Sequence, residues 1–281
     1  MPVVRTPFRE GHAQVDQVED AAAAHRGLGP VQALQVLVVG LQFLTRLPVP
    51  AVPMVEGDLR RATAVFPLVG ALVGGIALGA WALVEPLLGA LPAAVAAVAV
   101  AVAVTGAFHE DGLADTYDGL WGGWDPTARV EIMRDSRIGT YGACALLLGL
   151  GARIGLLAGL TLPGAARALL VGHTVSRAAI LVQIRWLAPI SDRGSGAQVA
   201  DPLGLLGSSV AALTTIVVCV PTVGWWTPAV LAAALLVTAA LRRAARRRIG
   251  GLTGDVLGAT QQLALLAVLA TVVAIDRADG W

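Results

Sequence analysis

The run ATAVFPLVGALVGGIALGAWALV, residues 62–84, contains no charged side chain and is apolar almost throughout. A transmembrane α-helix needs roughly 20 consecutive, predominantly apolar residues to cross the hydrocarbon core of a bilayer. Residues 62–84 meet that length, and their glycines would let neighbouring helices approach through a face of small residues. The run therefore predicts a membrane-spanning helix.

The rest of the chain repeats this pattern. Further apolar runs cover residues 91–108, 140–160, 165–187, 205–223, 227–241 and 255–275, and a shorter one covers 31–44. Hydrophobic residues make up 56% of the 281 positions and charged residues only 14%, with a mean hydropathy of +0.74. Such a composition excludes an ordinary soluble domain. We predict an all-α fold, a polytopic transmembrane helix bundle with seven or eight membrane helices. It would form a single integral membrane domain over residues 31–281, after a mobile polar tail at residues 1–30.

Arginine is distributed unevenly among the connections between these runs. The connections at 85–90, 161–164 and 224–226 contain none. The alternate connections contain Arg46, Arg60, Arg61, Arg129, Arg134, Arg137, Arg193 and the run from Arg242 to Arg248. Because loops rich in arginine stay on the cytoplasmic side of a membrane protein, we expect these connections to face the cytoplasm. The polar stretch at 108–142 lies on the same side in this topology.

Charge and cysteine content exclude several functions. The formal net charge of +1 gives no reason to expect a nucleic-acid partner. The sequence contains no lysine, which excludes lysine Schiff-base and P-loop lysine chemistry. Cys144 and Cys219 both lie in apolar runs, so we interpret them as core residues and not as a disulfide or a zinc site.

The stretch FHEDGLADTYDG, residues 108–119, concentrates acidic side chains between two apolar runs. Asp111, Asp115 and Asp118 have an i, i+4, i+7 spacing, so a helix would project their carboxylates from one face. Three unpaired carboxylates on one face repel each other, and a hard divalent cation such as Mg²⁺ or Mn²⁺ would neutralise them. The alternative is a solvated acidic loop. Gly112 and Gly119 favour the site, because each lets a backbone or ligand approach closely.

Arginines follow the acidic stretch in EIMRDSRIGTYGA, residues 131–143. Arginine forks beside metal-binding carboxylates, without a nucleophilic lysine or cysteine, favour phosphoryl transfer over acyl or redox chemistry. An attacking hydroxyl would also need a base to accept its proton. His109 or one of the aspartates could take that role, and the sequence leaves the choice open.

Ionisable residues also occur inside the apolar runs, where they are costly and usually face the bundle interior. They are Arg153, His173, Arg177 and Arg185. His173 and Arg177 are one helical turn apart in HTVSRAA, so they could reach one anion, or they could serve a structural hydrogen bond. In GLTGDVLGAT, residues 251–260, Asp255 stands where a helix begins. Helix capping would explain it, and so would close approach of a phosphate to a helix N-terminus.

These motifs occur in a characteristic order, together with FLTRLPVP at 43–50 and RATAVFPLVGALVGG at 61–75. Over residues 41–263 the chain closely resembles the cobalamin 5'-phosphate synthase family, also called adenosylcobinamide-GDP ribazoletransferase. The resemblance implies a Mg²⁺-dependent enzyme of the bacterial cytoplasmic (inner) membrane with its active site facing the cytoplasm. Such an enzyme joins adenosylcobinamide-GDP to α-ribazole or α-ribazole 5'-phosphate, releasing GMP and forming adenosylcobalamin or its 5'-phosphate.

The family's motifs transfer to this chain residue by residue. The acidic motif falls on Asp111, Gly112, Asp115 and Asp118, and the RDSR motif falls on residues 134–137. The predicted catalytic residues are His109, Asp111, Asp115 and Asp118, and the predicted Mg²⁺ ligands are Asp111, Asp115, Asp118 and Glu110. The predicted substrate-binding residues are Arg134, Asp135, Ser136, Arg137, His173, Arg177 and Asp255. The expected partners are the two small-molecule substrates and the lipid membrane, without nucleic acid, and the sequence leaves a homo-oligomer open.

Two other functions compete with this one. A CDP-alcohol phosphotransferase also combines a DG motif with membrane helices, but Asp115 interrupts its DGxxA-Arg pattern. A transporter would place its acidic residues near the membrane midplane in discontinuous helices, often with an inverted repeat. Here the acidic residues follow the end of an apolar run, and no repeat is recognisable.

Overall fold

A computed structural model describes residues 30–53, 55, 57–191, 198–199 and 203–279. In these ranges the chain forms helices α1 (Pro30–Leu44), α2 (Asp58–Ala62), α3 (Phe66–Leu88), α4 (Ala90–Thr105), α5 (Phe108–Gly122), α6 (Pro126–Met133), α7 (Thr140–Leu157), α8 (Leu162–Trp186), α9 (Leu205–Val223), α10 (Thr227–Arg248) and α11 (Gly254–Asp279). Short 3-10 turns cover Thr63–Val65 and Gly224–Trp226. The described part contains a single isolated β-bridge, Pro189 to Leu252, and no strand. The all-α prediction is confirmed.

Contacts divide the chain into two units, Met1–Gln35 and Val36–Trp281. Most of the predicted polar tail, residues 1–29, lies outside the described residues. The second unit contains α1 from Val36 onward and all of the helices that follow it. A single catalytic domain over residues 31–281 stays a prediction.

Five segments of the described chain are long and apolar enough to cross a membrane. They are Asp58–Leu88, Thr140–Leu157, Leu162–Trp186, Leu205–Arg248 and Gly254–Ala278. Helices α4 and α5 pass the same test only when they are taken together, and they are bent by 89° at the break between them. The structure thus confirms a helical bundle with five candidate spans, or six with the bent pair, while seven or eight spans remain a prediction.

Helices α8 and α11 are the most buried of the candidate spans, with 67% and 72% of their apolar windows inside the protein. Helix α3 packs against α8 at glycines, where a side chain would not fit. A Cβ added to Gly74 would lie 2.5 Å from the carbonyl oxygen of Leu169, and one added to Gly70 would collide with the carbonyl of His173. The glycine-rich run that predicts a span thus also brings α3 into backbone contact with α8.

The bend between α4 and α5 arises at two residues with a left-handed backbone. Gly106 has φ 65° and Ala107 has φ 58°. Glycine adopts this region freely, whereas alanine does so at a cost, so neighbouring contacts must hold the turn. The backbone amide of Arg46 donates to the carbonyl of Val104 at 2.7 Å, which anchors the segment after α1 to the end of α4. The bend directs the acidic helix α5 away from the line of α4.

Candidate active site

Helix α5 presents the three predicted aspartates at three depths. The helix covers Phe108–Gly122, so the predicted common face is confirmed. Asp111 is exposed, Asp115 is half-buried and Asp118 is buried. The carboxylates therefore meet different surroundings, and only the outer two face open space.

Asp118 is engaged by the protein backbone. Its Oδ2 accepts a hydrogen bond from the amide of Gly139 at 2.7 Å, and its Oδ1 accepts one from Gly142 at 2.9 Å. These amides lie at the N-terminus of α7, where the helix dipole favours a negative charge. The expectation that all three carboxylates are unpaired is wrong for Asp118, because the RDSR segment turns the chain back and brings α7 onto α5. Its roles as a catalytic residue and a metal ligand remain predictions.

Helix α11 brings a fourth carboxylate to the two outer ones. It contacts α5 at Gly112 and Gly258, where a Cβ on Gly112 would lie 3.1 Å from the Cα of Gly258 and 2.9 Å from the carbonyl oxygen of Asp255. Asp255 stands in the first turn of α11, and one pocket is lined by both Asp111 and Asp255. The predicted close approach at Gly112 is thus an approach of the two helix backbones, and it places Asp255 at the acidic site.

The carboxylates of this site repel each other. Asp115 lies in α5, which is not one of the five candidate spans. Partial burial raises the pKa of Asp115 to about 7, and the charge of Asp111 adds to the effect. Asp255 and Asp118 contribute in the same direction. A cation placed among Asp111, Asp115 and Asp255 would relieve this repulsion.

The donor set fits a hard cation, but the side chains do not enclose one. Within the described ranges, no group of three or more His, Cys, Asp or Glu side chains is arranged to hold a metal ion. Carboxylate oxygens on an open edge nevertheless suit Mg²⁺, which keeps several waters and binds proteins through one or two carboxylates together with substrate phosphates. The observation that favours such an ion is geometric, because Asp111 and Asp255 line one pocket and Asp115 follows Asp111 by one turn on the same face of α5.

The RDSR segment is exposed, except that Asp135 is half-buried. The carboxylate of Asp135 accepts hydrogen bonds from the backbone amide and the Nε of Arg137, both at 3.0 Å. This pairing with Arg137 lowers the pKa of Asp135 to about 2. Arg134 is near enough to Asp255 for their charges to interact. The exposed guanidinium groups of Arg134 and Arg137 and the hydroxyl of Ser136 can reach a ligand, and their substrate-binding roles remain predictions.

His109 and Glu110 point into the protein. His109 is 2% exposed, and its Nε2 has no hydrogen-bond partner in the described part of the chain. Glu110 is also buried, and its Oε1 accepts a hydrogen bond from Nη1 of Arg153 at 2.9 Å. The same Nη1 donates to Oε1 of Gln262 at 3.1 Å. Glu110 therefore has an ion-pair partner in the bundle, and its predicted metal role stays a prediction.

The sequence shows Arg153 as an ionisable residue within an apolar run, but it does not show the partners of Arg153. They come from α5 and α11, which are far from Arg153 in the chain. The buried polar contacts continue beyond it, because Gln262 donates to Gln261 at 2.9 Å and Gln261 donates to Ser176 at 3.0 Å. This network joins α5, α7, α8 and α11 behind the acidic site.

His173 and Arg177 lie on the same face of α8, as predicted, and both are buried. Nη1 of Arg177 is 3.2 Å from Nδ1 of His173 and donates to the carbonyl of His173 at the same distance. The Nε of Arg177 has no partner among the described residues. The contacts of Nη1 agree with the structural alternative, in which the two residues serve a hydrogen bond. Binding of an anion by His173 and Arg177 remains a prediction.

The basic end of α10 is attached to the acidic helix. Nη1 of Arg248 donates to the carbonyl of Leu120 at 2.6 Å, and its guanidinium lies 4.7 Å from the centre of the Trp121 ring. Nη1 of Arg129 in turn donates to the carbonyl of Arg248 at 3.0 Å. The C-terminal ends of α5 and α10 are therefore at the same end of the bundle, which agrees with the arginine pattern of the sequence.

Comparison with known proteins identifies similar chains. The family model described as cobalamin-5-phosphate synthase matches residues 36–273. The chain is 41% identical over 252 residues to the adenosylcobinamide-GDP ribazoletransferase of Azorhizobium caulinodans, covering 84% of this chain and 94% of the relative. It is 45% identical over 264 residues to the protein of that name from Xanthobacter autotrophicus, with the same coverage of both chains. The protein of that name from Shewanella woodyi is 40% identical over 244 residues, again with 84% and 94% covered. No solved structure matches the chain significantly.

Proposed function

The chain belongs to the cobalamin-5-phosphate synthase family, and from this we propose that it is an adenosylcobinamide-GDP ribazoletransferase. It would transfer the adenosylcobinamide-phosphate moiety of adenosylcobinamide-GDP to α-ribazole or α-ribazole 5'-phosphate and release GMP. The product is adenosylcobalamin or its 5'-phosphate. The observation that supports this activity best is the acidic edge formed by Asp111, Asp115 and Asp255. The family assignment favours this enzyme over both the CDP-alcohol phosphotransferase and the transporter.

The acidic edge suits the diphosphate of the donor substrate. Asp111, Asp115 and Asp255 would hold Mg²⁺, which when bound supplies positive charge to the oxygens of the diphosphate and of the leaving phosphate. Arg134 is exposed and close enough to Asp255 for their charges to interact, so its guanidinium can bind phosphate oxygens beside the carboxylates. Asp118 and Glu110 are proposed as further ligands from the sequence. In the arrangement described, Asp118 accepts two backbone hydrogen bonds and Glu110 pairs with Arg153 through Oε1, so both help to position α5.

His109 is our candidate for the general base. It lines the same pocket as Asp111 and Asp255, and its buried Nε2 is unpartnered in the described ranges. As a ribose hydroxyl of the acceptor forms its bond to the phosphorus on the cobinamide side, Nε2 would accept the hydroxyl proton. The bond between that phosphorus and the oxygen of the GMP phosphate breaks, and GMP leaves with that oxygen.

We further propose seven or eight membrane helices, with the acidic site on the cytoplasmic side of the bacterial inner membrane. The candidate span Leu205–Arg248 contains 44 residues. As one continuous helix it would be about 66 Å long, roughly twice the hydrocarbon thickness. The break at Gly224, where φ is 55°, supports two spans, α9 and α10, with the arginines of α10 inside.

A reconstituted assay tests the activity. Membranes that contain the protein are incubated with adenosylcobinamide-GDP, α-ribazole 5'-phosphate and Mg²⁺, and GMP and corrinoid products are separated by chromatography. We expect equal amounts of GMP and adenosylcobalamin 5'-phosphate, and neither from membranes carrying Asp111→Asn. GMP release that does not require the ribazole would identify a hydrolase and contradict the proposal.

A further inference from the structure

The pocket beside the acidic edge has two chemically different sides. One side carries the polar groups of His109, Asp111 and Asp255, and the other is formed largely by aromatic and aliphatic side chains. In the proposed function the donor diphosphate binds at the carboxylates, which leaves the apolar side for a different part of a substrate.

Three phenylalanines form the core of the apolar side. The rings of Phe43 and Phe66 are stacked with their centres 5.9 Å apart, and the ring of Phe108 meets Phe43 edge-on at 5.2 Å. Phe66 is fully buried, whereas Phe43 is half-buried and Phe108 is 40% exposed. Two aromatic rings in the cluster therefore keep surface available for a further planar ring, and offset or edge-on packing of such rings is favourable.

Polarity decides which planar ring fits. The corrin ring carries amide side chains, whose polar groups the apolar side would leave unpaired. The guanine of the donor has several hydrogen-bonding groups on its edge. Among the side chains that line the pocket, only His109, Asp111 and Asp255 are polar. A purine in the apolar part would leave its polar groups unpaired, whereas an alkylated benzimidazole has few such groups to satisfy.

We propose that this apolar side binds the base of the acceptor, a planar and largely apolar heteroaromatic ring such as the alkylated benzimidazole of α-ribazole. The base packs against Phe43 and Phe108, and the attached ribose then extends toward His109 and Asp111 at the polar side. Phe43 and Phe108 are thus specificity-determining residues for the acceptor. This inference rests on the proposed function, since it assumes a ribazole acceptor.

Replacing one aromatic ring tests the acceptor site. Phe43→Leu keeps an apolar side chain and removes the ring face. We expect the KM for α-ribazole 5'-phosphate to rise about tenfold, equivalent to about 1.4 kcal/mol. The KM for adenosylcobinamide-GDP and kcat should change by less than about twofold. Phe108→Leu, at a more exposed position, should shift the same constant and guards against a folding defect in the first variant. Trp225→Leu serves as the control, because Trp225 is 72% exposed and does not line the pocket.

The outcomes separate the alternatives. A rise in the donor KM alone would assign the apolar side to guanine and overturn the proposal. Unchanged constants in both phenylalanine variants would also overturn it. A parent enzyme that prefers an acceptor with a purine base over α-ribazole would contradict the polarity argument.

A binding measurement separates this inference from the proposed activity. Equilibrium dialysis of α-ribazole against the detergent-solubilised full chain needs neither donor nor Mg²⁺. We expect saturable binding that Phe43→Leu weakens about tenfold and Trp225→Leu leaves unchanged. Binding with this dependence, in a protein that shows no transferase activity, would refute the proposed function and support the site. Activity without any effect of the phenylalanines on dialysis would refute the site alone.

Discussion

At the scale of single residues, the acidic side chains of α5 divide into those facing open space and those held by the protein. Asp111 and Asp115 face outward to different degrees, while Asp118 accepts two backbone hydrogen bonds and Glu110 pairs with Arg153. Four residues with the same chemistry in the sequence thus have different surroundings. Their substitution should therefore give distinguishable results.

Asp115→Asn should remove activity while leaving the fold intact. The amide keeps the shape of the side chain but removes the charge that attracts a hard cation. We expect kcat to fall by about 100-fold or more, with a smaller change in the KM values, and the half-saturating Mg²⁺ concentration to rise. Glu131→Gln removes an exposed carboxylate from the same region and should behave like the parent. Parental turnover and Mg²⁺ dependence in Asp115→Asn would show that these carboxylates form a solvated face.

Arg153→Met should destabilise the protein strongly. Arg153 and Glu110 have side chains only 3% and 8% exposed, so the substitution leaves a buried carboxylate without its partner, at a cost of about 3–5 kcal/mol. Adding Glu110→Leu should recover part of this loss, as a double-mutant cycle of unfolding in detergent would measure. Arg61→Met breaks a pair in which the arginine side chain is 54% exposed and should cost about 1 kcal/mol or less.

The double variant also tests Glu110 as a metal ligand. If Glu110 acts only through the ion pair, the folded double variant should keep the parental Mg²⁺ dependence. A higher half-saturating Mg²⁺ concentration in that variant would assign Glu110 to the metal, as the sequence predicts.

At the scale of helices, glycines determine how closely the elements around the site approach. Gly112 and Gly258 bring α5 onto α11, and Gly139 and Gly142 bring the start of α7 onto Asp118. Each contact moves a carboxylate or its partner into the site. The site is therefore sensitive to small additions of volume at these positions, even though none of the glycines has a functional group.

Gly142→Ala should displace α7 from α5. Its methyl group would collide with the carboxylate of Asp118 and approach the carbonyl oxygen of Ala114 to about 2.8 Å. Overpacking of this kind costs about 1–3 kcal/mol, so we expect a lower thermal midpoint and reduced kcat. Gly151→Ala lies in the same helix with nothing within 4 Å of the added Cβ. It should be neutral or stabilising by up to about 1 kcal/mol. Equal midpoints for the two variants would contradict the contact.

At the scale of the whole molecule, the question is which end of the bundle faces the cytoplasm. The RDSR segment carries the exposed Arg134 and Arg137. The last turns of α10 carry the exposed Arg243, Arg246 and Arg247, whereas the turn at Gly224–Trp226, before the other end of α10, contains no arginine. Contacts between Arg248 and Leu120 join α10 to the acidic helix at one end. From this arrangement the positive-inside rule predicts that the acidic site faces the cytoplasm.

Cysteine accessibility in intact cells measures this orientation. In a Cys144→Ala and Cys219→Ala background, Ser136→Cys and Ala244→Cys should resist a membrane-impermeant thiol reagent until the cells are permeabilised. Trp225→Cys should react without permeabilisation. Labelling of either of the first two positions from outside would invert the topology and place the acidic site on the wrong side for nucleotide substrates.

The sequence alone predicts the long apolar helices and their positions, because apolar runs and their interruptions are local properties, whereas the short helices α2 and α6 appear only in the structure. The sequence also predicts that Asp111, Asp115 and Asp118 share a face if their segment is helical, since that depends only on spacing within α5. The packing of distant segments decided the rest. The amides of Gly139 and Gly142, 21 and 24 positions beyond Asp118, donate to its carboxylate. Arg153 neutralises Glu110, which is 43 positions earlier in the chain. Asp255 joins Asp111 because Gly112 and Gly258 let the two helices touch. Local patterns show which side chains can bind a cation, but only the tertiary structure shows which of them the protein has already paired. Pairing depends on how helices distant in sequence meet.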